Sequence, residues 1–237
     1  MDDKGKYTMR PIQGATLPNS LRGYNLIATA ETGSGKTMCF AVAALAAVVP
    51  SLNKPQVLIS AHNRTLLDQL CEEMDKLCKA LCSLRPSEAP ITWSYVDSRD
   101  ARSTFNPHAH VILSTAGQLA GKLERGIDAS GVKLLVADEV DDILSQTPQN
   151  GRHGDAMSNI INAISRMAHV RPQVLLFSAT IGDDDSDPDD IRLNQQLKQC
   201  TGPEHVLCKA KNKDVAGMYM YVCVCVCVCV CIICMYV

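Results

Sequence analysis

The stretch Ala30-Glu31-Thr32-Gly33-Ser34-Gly35-Lys36-Thr37 carries the residue types that hold a phosphate chain. Gly33 and Gly35 allow close approach of backbone N–H donors. Lys36 supplies a cation for the outer phosphates, and Thr37 a hydroxyl for Mg²⁺. Ala30, Thr32 and Ser34 complete the loop, with Ala30 where a first glycine is usual. A second cluster, Asp138-Glu139-Val140-Asp141, lies about a hundred residues on. A carboxylate such as Asp138 holds Mg²⁺ opposite a phosphate loop, and one such as Glu139 orients and deprotonates an attacking water. An isolated glycine-rich turn, or an acidic helix start, needs neither partner. The two together point to nucleoside triphosphate chemistry, with Lys36, Asp138 and Glu139 as catalytic candidates.

Such groups need a scaffold. Apolar runs at Leu26–Ala28, Val57–Ser60, Ile91–Val96, Val111–Ser114, Leu134–Ala137, Val174–Phe177 and Val206–Cys208 read as strands. Between them lie helical patterns: Met38–Val49, a stripe of Leu66, Leu70, Met74, Leu77 and Leu81, a segment near Gln118–Arg125, and one from about Asp155 to His169. Alternation at this spacing predicts βαβ units, a parallel sheet and helices on both faces. Ligands in such sheets bind beyond the carboxyl ends of the strands. Both acidic cluster and glycine-rich loop stand directly after strands.

Composition narrows the class. The chain has 237 residues and a net charge of −2. Six aspartates crowd into Asp183–Asp190, and without them the acidic residues fall below the 23 basic ones. The remainder is mildly basic, which permits phosphate contact. The acidic run itself reads as a solvated loop: it imitates a calcium loop, but Pro188 replaces the turn glycine and Asn194 the last carboxylate. Of 12 cysteines, six lie in the tail; the other six form no C-x-x-C pair, and Cys71, Cys78 and Cys82 at helical spacing read as one buried face. There is no apolar leader after Met1. These features predict a reduced, intracellular protein of the nucleus or cytoplasm. His108-x-His110 reads as a loop before a strand rather than a metal site, and Trp93 as core packing.

With these motifs in this order, the chain resembles the DEAD-box RNA helicases of superfamily 2. The resemblance runs from about Arg10 to Lys209 and covers the first of that family's two RecA-like domains. Pro11-Ile12-Gln13 resembles the Q motif, whose glutamine reads adenine, and Leu17-Pro18 and Leu21-Arg22-Gly23 continue its spacing. Ala30–Thr37 is similar to motif I, and DEVD at Asp138–Asp141 stands where the family has DEAD. Ser178-Ala179-Thr180 resembles motif III, which in the family couples ATP turnover to strand separation. Ala61–Leu66 and Thr115–Leu119 stand where the family has APTREL and TPGRL. By resemblance, the nucleotide is ATP with Mg²⁺, held by Gln13, Ala30, Thr32, Gly33, Ser34, Gly35, Lys36 and Thr37. Thr37 and Asp138 serve the metal, Ser178 and Thr180 the coupling, and Arg64, Thr115 and Gly117 the RNA backbone.

The departures fall mainly on the RNA side. His62 and Asn63 replace a proline and a threonine, Gln118 replaces an arginine, and the paired glycines are missing near Asp97–Arg99. No aromatic stands upstream of Gln13 where the family has one. The reading divides the chain into an extension (1–9), an ATP-binding RecA-like domain (10–213) and a Val/Cys tail (214–237). The resemblance implies a missing second domain, whose arginines stabilise the transferred phosphoryl group. The chain alone is therefore expected to bind ATP weakly and hydrolyse little, the alternative being a non-enzymatic fragment or pseudogene-like product. Met218–Val237 is apolar and long enough to span a bilayer, yet alternating valine and cysteine is what a TG dinucleotide repeat encodes. The expectation is translated repeat sequence, not a membrane anchor.

Overall fold

In the computed structural model, residues 9–96, 105–145, 156–180 and 186–209 are described. The extension up to residue 8, Asp97–Arg99, most of the acidic run before Ser186 and the whole Val/Cys tail lie outside them.

The elements follow in the order α1 (Pro11–Leu21), β1 (Leu26–Thr29), α2 (Lys36–Ala47), β2 (Val57–Ala61), α3 (Arg64–Leu84), β3 (Trp93–Tyr95), β4 (Val111–Thr115), α4 (Ala116–Glu124), β5 (Leu134–Asp138), α5 (Val140–Ser145), α6 (Ala156–Ala168), β6 (Gln173–Ser178), α7 (Pro188–Thr201) and β7 (Val206–Lys209). The strands form one seven-stranded sheet in the order β3-β4-β2-β5-β6-β1-β7, and every pair is parallel.

Strand side chains alternate between two cores, as a period of two requires. Leu26, Ala28, Val57, Ile59, Val136, Leu175 and Phe177 point to α1, α2 and α3, while Ile27, Leu58, Ile112, Leu135 and Leu176 point to α4–α7. Both faces are covered, so the strands read as continuous apolar runs. Within α2, small Ala41, Ala43 and Ala44 are buried and let the helix lie close to the sheet. The long α3 is amphipathic and begins at Asn63, whose side chain accepts the Leu66 N–H at 3.0 Å.

Several expectations change. Residues 11–21 form a helix that the apolar pattern does not reveal: Pro11 opens it and Pro18 lies inside it. The predicted stripe of α3 holds for Leu70, Met74, Leu77 and Leu81, but Leu67 takes the buried place and Leu66 is only half-buried. Cys82 is exposed, because the last turn of α3 runs out past the core, as its neighbour Leu84 at 43% exposure shows. The acidic run is not loop throughout. Asp187 caps α7, accepting the Asp189 N–H at 2.9 Å, and Pro188, Asp189 and Asp190 form its first turn. Carboxylates there meet the positive end of the helix dipole. His110 is a structural residue: it is buried and its Nδ1 accepts the Thr92 N–H at 2.9 Å. Trp93 is only partly buried against the core.

Candidate functional site

β1 hands its chain directly to the glycine-rich loop. The Ala30 N–H donates to the Ser178 carbonyl at 3.3 Å, extending the β1–β6 ladder by one step. The chain then turns through Gly33 (φ 76°) and Gly35 (φ 96°), both left-handed, and enters α2 at Lys36. Only glycine takes these angles without cost. Lys36 is buried, at 8% exposure, and folds back so that Nζ donates to the Ala30 carbonyl and, at 3.3 Å, to that of Glu31. Thr37 is half-buried in the first helical turn. The first N–H groups of α2 have no intrahelical acceptors, and the Ser34 hydroxyl is buried with no partner among the described residues. This is a concentration of unmet donors around one cation, and it suits a polyphosphate.

Opposite stands the carboxylate cluster. Asp138 ends β5, half-buried. Burial is the largest influence on it and pushes its pKa up to about 6. Lys36 opposes that shift, the charges of Glu139 and Asp141 add to it, and the Glu139 N–H, donating to Asp138 Oδ1 at 3.1 Å, opposes it. A carboxyl held in this way is suited to a cation, which would restore its charge. Glu139 itself has φ 51°, unusual for a residue with a side chain.

β6 lies between β5 and β1 and contributes the third part. Ser178 is fully buried. Its hydroxyl donates to the Thr180 carbonyl and accepts the Thr180 N–H at 3.0 Å, forming a tight turn. That turn presents the Thr180 hydroxyl to Asp141 Oδ2 at 2.7 Å. The other oxygen, Asp141 Oδ1, is buried with no partner among the described residues.

The amino end of α1 closes the loop from the remaining side. A Cβ added at Gly35 would meet Gln13 Nε2 at 2.9 Å and Arg10 Cδ at 3.0 Å. Gln13 is buried, and its Oε1 accepts the Arg10 N–H at 2.9 Å. Gly35 is therefore constrained twice, by its backbone angle and by the glutamine resting on it.

The structure thus brings Gln13, the 30–37 loop, Asp138, Glu139, Ser178 and Thr180 to one edge, over β1, β6 and β5. Arg64, Thr115 and Gly117 stand beside that cluster rather than in it. Ala61 lies opposite both Asp138 and Thr115 in register, so the ends of β5, β2 and β4 continue the same edge. Arg64 opens α3 exposed, with Nε 3.9 Å from Asp68 Oδ2. Thr115 caps α4 with no side-chain cap bond, and Gly117 is exposed, with open space where a side chain would begin. Two residues of the cluster escaped the sequence reading as site residues: Arg10 and Asp141. Arg10 stands three residues before Gln13, the spacing of a reciprocal helix cap, and that was its available signal. Asp141 had none beyond its place in the acidic quartet.

Comparison with known proteins bears on the family and the fold. The DEAD/DEAH box helicase family matches residues 10–187. The ATP-dependent RNA helicase DbpA of Escherichia coli is 32% identical over 182 residues, which are 76% of this chain and 37% of that protein. The DEAD-box ATP-dependent RNA helicase CshA of Bacillus cereus is 31% identical over 202 residues, 85% of this chain and 35% of that protein. Among solved structures, a DEAD box protein from Methanococcus jannaschii superposes with a TM-score of 0.66 at 25% identity, covering 88% of this chain and 52% of that one. Dbp5 of S. cerevisiae bound to RNA and ADP BeF3 gives 0.66 at 26% identity, covering 84% and 46%. The fold is RecA-like. The chain spans little more than a third of the length of these curated relatives.

Proposed function

The chain belongs to the DEAD/DEAH box helicase family, and from that premise we propose that residues 10–213 are the ATP-binding RecA-like unit of an ATP-dependent RNA helicase. The observation that carries this reading is the meeting of Lys36, Asp138 and the Ser178–Thr180 turn over three adjacent strands.

Gln13 reads the adenine edge from its place on Gly35. The loop N–H groups, Ser34 and Lys36 hold the phosphates. Thr37 and Asp138 hold Mg²⁺, which when bound neutralises charge on the outer phosphates. Glu139 accepts a proton from the water that attacks the γ-phosphorus, the bond to the bridging oxygen breaks, and ADP and phosphate leave. Lys36 offsets the negative charge shifting onto the β-phosphate oxygens. Thr180, bonded to Asp141, senses the state of the carboxylate cluster and carries it towards the RNA-facing edge at Arg64, Thr115 and Gly117.

Titration calorimetry with Mg·ATP tests the nucleotide site. Lys36→Ala is expected to weaken binding at least about tenfold, the loss of a charge-assisted phosphate contact. Equal affinity of the two proteins sinks the reading. A second reading, ATP binding without RNA-stimulated turnover, is favoured by Gln118 in place of a phosphate-facing arginine. RNA-stimulated ATP hydrolysis by the purified chain, with Lys36→Ala as control, decides against it. Among the described residues no helix is long and apolar enough to cross a membrane.

A further inference from the structure

Arg10 lies 23 positions from Gly33, yet its guanidinium donates through Nη1 to the Gly33 carbonyl. Its Cδ and Nη1 stand 3.0 and 3.6 Å from a Cβ built on Gly35. Its main chain is fixed by the bond to Gln13 Oε1. The residue is otherwise exposed. A guanidinium carries five N–H donors in a planar fork, and the Gly33 carbonyl engages only one of its ends. Donors and a permanent charge therefore border the loop, on the side from which Gln13 reaches it. Lys36, by contrast, is buried and already shares its ammonium between two carbonyls.

We infer that Arg10 is a second phosphate-binding cation of the nucleotide site, and that it grades nucleotides by the charge of their phosphate chain. The inference rests on the nucleotide-binding reading of the 30–37 loop. The planar fork matches phosphate oxygens in a two-pronged bond that a lysine cannot reproduce. Because Arg10 is exposed, salt screens the interaction. Its effect is therefore moderate, about three- to tenfold in affinity.

The test is calorimetry of the whole chain with Mg·ATP, Mg·ADP and adenosine, on wild type, Arg10→Gln and Arg10→Lys. Glutamine keeps an N–H for the Gly33 carbonyl and removes the charge, while lysine keeps the charge. Arg10→Gln is expected to weaken ATP binding three- to tenfold, ADP binding less and adenosine binding not at all, with Arg10→Lys in between for ATP. The dependence of ATP affinity on salt is expected to be shallower in Arg10→Gln than in wild type. Unchanged affinity for all three ligands overturns the inference, as does an equal loss for all three, which would make Arg10 only a clamp between α1 and the loop. Should Arg10→Gln fold poorly, an ATP affinity of wild type that is flat with salt overturns it as well. ATP binding that depends on Lys36 but not on Arg10 sinks this inference alone, whereas no ATP binding by wild type sinks the reading beneath it.

Discussion

The Thr180 hydroxyl donates to Asp141 Oδ2 at 2.7 Å, joining the turn after β6 to the short helix after β5 across 39 positions of sequence. Its partner oxygen, Asp141 Oδ1, is buried and unpaired among the described residues. Thr180→Val keeps the shape and deletes the donor, leaving the carboxylate with neither oxygen bonded by a hydroxyl. The expected loss is about 0.5–1.5 kcal/mol in urea unfolding, with Mg·ATP affinity within about twofold of wild type, since no loop donor is touched. A tenfold loss of ATP affinity would place Thr180 in nucleotide binding rather than coupling.

Asp138 gives the metal-free protein a particular pH dependence. Its folded pKa of about 6 lies above the ordinary 3.8, so between these values the folded state binds more protons than the unfolded one. Stability then falls as pH rises from about 4 to about 6 and stays at the lower level above that. His110 acts in the opposite sense, since burial lowers its pKa and stability rises with pH up to its ordinary value of 6.5. The difference between wild type and Asp138→Asn isolates the carboxyl. A carboxyl lifted from 3.8 to about 6 contributes on the order of 3 kcal/mol before solvent screening. Asp138→Asn is expected to be the more stable protein at pH 7, on the order of 1–3 kcal/mol, with the two converging near pH 4 in Mg²⁺-free urea titrations. A less stable variant at pH 7 contradicts this.

Glu139 holds φ at 51°. A left-handed angle costs an ordinary residue roughly 1–2 kcal/mol, and a β-branched one more. Glu139→Gly is expected to unfold no earlier than wild type, even though glycine usually weakens a folded chain. Glu139→Val is expected to lose about 1 kcal/mol or more. Thermal melts of the two variants compare the effects directly, and equal midpoints would show that the angle relaxes at little cost.

The rings of Phe40 and Phe177 meet edge-on at 5.2 Å, tying α2 to β6 behind the glycine-rich loop. Both are about fully buried, at 1% and 0% exposure. Phe177→Ala is expected to cost about 3–5 kcal/mol. Because Phe177 immediately precedes Ser178, Mg·ATP affinity should fall with it, where Cys82→Ala on the exposed end of α3 leaves both stability and affinity unchanged. Calorimetry beside urea unfolding measures the pair.

The strands were legible because each is a short apolar run bounded by polar residues, and burial on both faces makes such runs continuous. The helix α1 was not. Gly14 and Pro18 lower its helical tendency, and its apolar residues make no clear stripe. It forms because Ile12 and Leu17 bury against the first core and against Val42 of α2. Its backbone is also held from outside, as Cys208 Sγ donates to the Ala15 carbonyl at 3.3 Å. The start of α7 carried a readable signal, Asp187 followed by Pro188 and two further aspartates, which the acidic composition of the run outweighed.

What the sequence determined alone is local: the glycines that must turn left-handed, the lysine and threonine that follow them, the acidic pair closing a strand, and the alternation that makes a parallel sheet. Those relations span a few residues, and covalent geometry fixes them wherever the segment folds. The order of the strands is a different matter. It sets β6 between β5 and β1, and with that order come the Thr180–Asp141 bond, the burial that lifts Asp138, and the contact of Arg10 and Gln13 with Gly35. Each joins segments far apart in the chain, and only the packing of both sheet faces brings them within reach.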